Sequence, residues 1–355
     1  MLVYVAIYIC IILIAIWTEK EKNNTIKKFL KFLLIFLPAF FAGIRYNVGT
    51  DYSAIYYPAW YNLKYRGWTE ERFELGYQLI NKIGIMLNTN FCFVMFICAF
   101  ITMFFVVKAI DKYNLEKKYF FAIFAYLLLF YQLSFNAVRQ AMAMAIFLYA
   151  TTFLKNNKYK YCFWILFGSL FHSTILFMLI LVFLEPILYK HDKRKEFYIL
   201  LLVLIGIALN LNLVSKVLLK IPGMAQYSPY LRYTGDKFGI GVLARILPFV
   251  VFSFFTKKEY KDDENRVFVT NMIWIGGVFR IFAYITSNYL ERIAYYFLIF
   301  EILIPDAYCK KTVLKPIMVK VFFIILIIFF WYFDYFYLGI HETEVYKTIF
   351  EYKIL

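Results

Sequence analysis

The chain has 355 residues, 63% of them hydrophobic and 23% aromatic, and a formal net charge of +16. A soluble domain is about half apolar, so this composition and a mean hydropathy of +0.66 exclude a soluble domain and point to an integral membrane protein. The positive charge then belongs to loops facing anionic lipid, and no nucleic-acid partner is expected.

A helix crosses a bilayer with roughly 17–25 apolar residues, and the chain carries about ten such runs. They fall at 2–17, 29–44, 91–109, 119–135, 138–154, 197–219, 240–256, 267–287, 290–308 and 316–333. A backbone in hydrocarbon must satisfy its own hydrogen bonds, so these runs read as helices. None alternates as a barrel strand would. The expected fold is an all-α polytopic membrane bundle, one domain over residues 1–355, with external loops at 45–90 and 220–239. The first run, 2–17, lacks a basic segment before it and a small-residue cleavage site, so it reads as a retained span. Cys10, Cys92, Cys98, Cys162 and Cys309 form no C-x-x-C pair and read as inert thiols.

Lysine-rich loops set the expected orientation. The basic segments 20–31, 108–118, 155–160, 190–195, 257–266 and 310–315 would face the cytoplasm, with the N-terminus and the acidic tail outside. The apolar run 162–184 is basic on both flanks, which favours an even number of passes. It reads as a broken pair of short helices turning near Gly168-Ser169-Leu170-Phe171-His172-Ser173, and discontinuous helices of this kind commonly line substrate sites.

Arg194 and Arg266 lie in the lysine loops. The other eight arginines, Arg45, Arg66, Arg72, Arg139, Arg232, Arg245, Arg280 and Arg292, map to the opposite side. Arg45 ends an apolar run and opens Arg45-Tyr46-Asn47-Val48-Gly49-Thr50-Asp51-Tyr52. There it could hold phosphate oxygens bidentately or simply snorkel as an interfacial cap. Arg139 and Gln140 enter an otherwise apolar helix, where an ionisable residue is a functional hypothesis by default; the alternative is a structural ion pair. His172 could act as a general base or as a hydrogen-bonded structural residue. Arg280 and Arg292 flank a short turn beside Glu291, which could neutralise one of them, and Arg245 lies near the end of its own run. The aromatics of 52–77 read first as an interfacial belt, and Thr69 before Glu70 and Glu71 suits a helix start. No Walker-type loop, H-E-x-x-H or D-x-D stretch is present, so neither a nucleotide-driven pump nor a metal site is expected.

At these residues the chain resembles the EpsG family of Wzy-type polysaccharide polymerases. The matching stretches are Arg45 to Tyr52, Glu74-x-Gly76-Tyr77, Asn136-x-x-Arg139-Gln140-x-x-Ala143, Leu170-Phe171-His172-Ser173 and Glu291-Arg292-x-x-Tyr295-Tyr296, in family order. The resemblance implies a glycosyltransferase of the bacterial inner or cytoplasmic membrane, multi-pass and active on the extracytoplasmic face. It would join oligosaccharide repeat units carried on undecaprenyl diphosphate for O-antigen, capsule or exopolysaccharide, without a cofactor, and a chain-length regulator is the candidate protein partner. The diphosphate ligands expected on that basis are Arg45, Arg139 and Arg292, then Arg245 and Arg280, with Gln140 beside them. The expected base is His172, with Asp51 competing. An O-antigen ligase shares the donor but uses a lipid A-core acceptor. A polyprenyl-phosphate-sugar glycosyltransferase would use Asp51. A flippase or transporter would need charges along a path through both leaflets, which these runs lack.

Overall fold

A computed structural model describes residues 1–68, 73–113, 119–210, 240–255, 257, 260, 262–285, 288–304, 308–309 and 311–352. Among these residues every regular element is helical, as expected of an all-α membrane bundle, and Arg45 and Thr348 form an isolated bridge. The chain divides into two compact units, Met1–Ile180 with Phe322–Leu355, and Leu181–Val321.

In the first unit, α1 (Leu2–Lys20) buries Tyr4, Ile7, Tyr8, Ile11, Ala15 and Thr18. That three-to-four spacing puts one stripe against protein and leaves Ile9, Leu13 and Trp17 exposed. α2 (Asn24–Ile44) starts at Asn23, whose side chain accepts from the N–H groups of Thr25 and Ile26. This satisfies donors that the first helical turn leaves free. A π-helical turn at Tyr52–Tyr56 runs into α3 (Tyr57–Arg66), and α4 (Leu75–Met86) precedes α5 (Phe91–Tyr113). A Cβ on Gly43 would lie 2.7 Å from the Phe96 Cβ, so glycine lets α2 and α5 approach closely, as small residues do between membrane helices.

α6 (Phe120–Tyr126) gives way to a π-helical stretch, Leu127–Tyr131, and to the short α7 (Leu133–Asn136). α8 (Val138–Leu154) follows and is buried on nearly every side, so it is the central helix of this unit. Its small residues Ala141, Ala143, Ala145 and Ala150 are all buried. α9 (Lys158–Ser169) then breaks at Leu170–His172, and Ser173–Ile180 continues as a 3₁₀ helix. Gln132 closes the polar interior. Its carbonyl accepts from Trp331 Nε1 at 2.6 Å and Tyr8 Oη at 3.3 Å, and its amide donates to Thr343 Oγ1 at 3.1 Å.

The second unit contains α10 (Leu181–Leu188), α11 (Arg194–Leu209), α12 (Ile240–Phe254), α13 (Glu264–Ile285) and α14 (Asn288–Leu298), with a 3₁₀ extension at Ile299–Leu303. α13 packs through consecutive glycines. A Cβ on Gly276 would meet Leu298 at 2.9 Å, and one on Gly277 would meet Ile246 at 2.8 Å. Neighbouring helices therefore close on both sides of that pair. α15 (Pro316–Tyr332) leads back to the first unit.

The expectation of about ten full spans is corrected. Among the described residues four helices are long and apolar enough to cross a membrane, Leu2–Lys20, Phe91–Tyr113, Glu264–Ala283 and Pro316–Tyr337. The count reaches five if the bent pair Ser173–Leu188 and His191–Gly206 is one span. The apolar runs are continuous as sequence, but the helices on them are not. The run 119–135 is divided by a π-helical stretch, and α8 and α12 have 17 and 15 residues. The run 162–184, which stood outside the ten, breaks at Leu170–His172, within the turn expected of a broken pair. α2 is long enough, but Lys27, Lys28 and Lys31 charge its first turns. The loop 220–239 with Arg232, the helix start at Thr69 to Glu71, and Arg72 lie outside the described residues.

Replacing Gln132 with leucine would strand the buried Trp331 N–H and the Thr343 hydroxyl. Each stranded group costs about 1–3 kcal/mol. The variant should unfold at a clearly lower temperature in detergent, measured by circular dichroism; an unchanged midpoint would mean that the network adds nothing.

Candidate active site

Glu74 is extended at the N-cap of α4, with φ −66° and ψ 152°. Two residues on, the Gly76 N–H donates to Leu170 O at 2.7 Å. A Cβ on Gly76 would lie 2.7 Å from that oxygen, so only glycine lets α4 lie directly on the break in the α9 segment. The break exposes the first N–H groups of the following 3₁₀ helix, which have no partner within their own helix. Ser173 N–H donates to Glu74 Oε1 at 3.0 Å, Ser173 Oγ donates to the same oxygen at 3.3 Å, and His172 Nδ1 lies 3.2 Å from it. The other carboxylate oxygen, Oε2, accepts from Arg139 Nη1 at the start of α8. One carboxylate thus ties together α4, α8 and the break.

Burial alone would raise the Glu74 carboxyl. The hydrogen bond with His172, the charge of Arg139 and the Ser173 N–H all favour the ionised carboxylate. Glu74 is therefore ionised at neutral pH and can only accept. Its contact with His172 then requires a proton on Nδ1, which leaves Nε2 as the basic nitrogen of the neutral ring. This is the orienting logic of a carboxylate behind a catalytic imidazole. Arg139 also hydrogen-bonds with Tyr56 and lies over the Phe73 ring at 4.6 Å from its centroid. Its side chain keeps 17% exposure.

The stretch from Arg45 to Tyr52 turns at Gly49, where φ is +95°, a region open to glycine at no steric cost. A Cβ there would also fall 2.5 Å from Asn136 Oδ1. That oxygen accepts from the Asp51 N–H at 3.1 Å, while Asn136 Nδ2 donates to His341 O at 3.0 Å. Asp51 lies near Tyr56, so it borders the cluster through the tyrosine that bonds with Arg139. Gln140 is buried on α8.

Arg45 sits elsewhere in this unit. It is 2% exposed, its guanidinium donates to Ala42 O and to Phe135 O, and it lies 4.5 Å from the centroid of the Phe135 ring. A small cavity beside it is lined by Met95, Cys98, Thr102, Ser134 and Val138. Arg45 is covered by protein and fixes the end of α2 against the segment before α8.

Arg245, Arg280 and Arg292 belong to the second unit. Arg245 on α12 and Arg280 on α13 both lie close enough to Glu301 to act on its charge. Glu291 accepts from Tyr295 Oη at 2.8 Å, one helical turn away.

Sequence reasoning missed Glu74, Ser173 and Tyr56 as parts of the site. Glu74 was visible only as a mark of family resemblance. The available signal was chemical: an acid followed by glycine at a helix start can accept hydrogen bonds while the backbone comes close. Glu301 was missed because it stands alone in an apolar run.

Among curated proteins and solved structures nothing matches this chain. A model of the EpsG family matches residues 28–354, which takes in the Glu74 cluster, the Asn136–Asp51 contact and the second unit. The chain belongs to the EpsG family.

Proposed function

We propose that this protein is a polysaccharide polymerase of the extracytoplasmic membrane face, joining oligosaccharide repeat units carried on undecaprenyl diphosphate. Members of the EpsG family are Wzy-like polymerases, which supports an enzyme of this general type. The observation that carries the finer reading is convergence: Glu74, Arg139, His172 and Ser173 come from three separated motifs and meet on one carboxylate.

The chemistry needs two groups that this cluster holds. The acceptor sugar hydroxyl attacks the anomeric carbon of the donor and loses its proton, and the bond from that carbon to the diphosphate oxygen breaks. His172 takes the proton at Nε2, with Glu74 holding the ring and stabilising the imidazolium that forms. The leaving diphosphate gains negative charge, which Arg139 stabilises from a site largely closed to water. Asp51, bordering the cluster through Tyr56, is the competing base. Arg292, Arg280 and Arg245 are further candidates for phosphate contact.

The test is complementation of a strain lacking its own polymerase, with glycan length read on gels and variant abundance on membrane blots. Arg139→Ala and His172→Ala should each insert normally yet leave single repeat units, with rates down by at least about 10²-fold. Long chains in both variants would sink the reading, and long chains with His172→Ala alone would move the base to Asp51.

A further inference from the structure

We propose that α4 is a half-membrane helix, and that its exposed stripe of Leu75, Leu79, Ile83 and Met86 rests against the acyl chains of the surrounding bilayer. The inference does not depend on the polymerase reading. It concerns a segment that the sequence assigns to an aqueous loop.

The stripe is strongly apolar and open. Leu75 is 70% exposed and Met86 83%, with Leu79 and Ile83 between them also exposed. The opposite face, Tyr77, Ile80, Asn81 and Gly84, is buried. At 12 residues the helix is about 18 Å long, too short to cross a hydrocarbon core of about 30 Å. A contiguous patch of this kind on a soluble loop would mark a binding surface, so what covers it must be argued from its neighbours.

Those neighbours belong to a span. α5 is among the helices apolar and long enough to cross the membrane, and α4 folds back along its first turns. A Cβ on Gly84 would lie 3.1 Å from Val94 Cγ2 and 3.5 Å from the Phe93 ring. Further along α4, Tyr77 comes close enough to Cys98 for their charges to interact. Cys98 is two turns in from Phe91, about 10 Å at 1.5 Å per residue. The N-terminal end of α4 is thus the deeper end, alongside the apolar body of the span, and its outer face meets the same surroundings.

Several backbone groups at the two ends of α4 find partners in protein. Lipid offers no hydrogen bonds, so helix ends at that depth must find partners in protein. At the deep end the Gly76 N–H donates to Leu170 O and the Gln78 N–H to Glu74 O. At the shallow end Thr89 donates to Gly84 O through both its N–H, at 2.9 Å, and its hydroxyl, at 2.7 Å, while Leu87 and Asn88 donate to Ile83 O and Ile85 O. Lys82 shares the exposed face, but in the shallow half, where its four-carbon stem can carry the ammonium toward the headgroups. A consequence is that Glu74, one residue before α4, lies below the Phe91 end of α5, so the cluster is recessed within the bilayer and bordered by lipid.

The test uses full-length protein reconstituted in phospholipid vesicles, with Cys10, Cys92 and Cys162 changed to serine. A nitroxide is attached singly to Leu75→Cys, Leu79→Cys, Ile83→Cys or Met86→Cys, and to Lys22→Cys in the exposed loop between α1 and α2. Spin relaxation by dissolved oxygen is compared with relaxation by a water-soluble nickel chelate. Oxygen should dominate severalfold at 75, 79 and 83, increasingly from 83 to 75, and the nickel chelate should dominate at 22. Nickel access at 75 and 79 equal to that at 22 would show that the stripe faces water. Low access to both reagents would show that protein covers it. Either result overturns the proposal, and agreement between the separate labels guards against one substitution disturbing the fold.

Discussion

The Glu74 carboxylate is the contact on which the candidate site depends. It faces Arg139, His172 and the backbone and hydroxyl of Ser173, and each partner would be costly to bury without it. Two cationic or cation-forming side chains in an apolar bundle need a counter-charge. A helix break at that depth needs an acceptor for its exposed N–H groups. One carboxylate meets both demands, which makes the helix break and the charged residues parts of a single solution.

Around that contact, close backbone approach does the positioning. Gly76 lets α4 touch Leu170, and Gly49 lets the loop after α2 lie on Asn136. Asn136 then joins this loop to His341, and Gln132 joins α1, α15 and Thr343. Residues from the C-terminal segment are thus built into the polar interior beside the site. They show no motif because their partners, Gln132 and Asn136, lie about 200 residues earlier in the chain.

Much of the first unit's site was legible in the sequence. Arg139 and His172 stand out because an ionisable group in an apolar run is expensive, and the break near His172 followed from basic flanks on both sides of one run. Glu74 was not legible as a partner because it is separated from Arg139 by 65 residues and from His172 by 98, and nothing local links them. Arg45 was expected to hold diphosphate because it ends an apolar run beside a glycine turn, whereas the chain turns over it and leaves it 2% exposed. The number of spans was overread for a related reason. Hydropathy records how apolar a run is, whereas a span also requires an unbroken helix.

The amino-acid sequence alone determined that the chain lives in a membrane, that it is helical, and that its motifs resemble one family. Each of these rests on local composition or spacing. Only the tertiary structure decided which charges pair, which arginine is covered, and that α4 lies along α5. Those outcomes depend on contacts between distant segments, where one missing Cβ or one accepting oxygen determines what can approach.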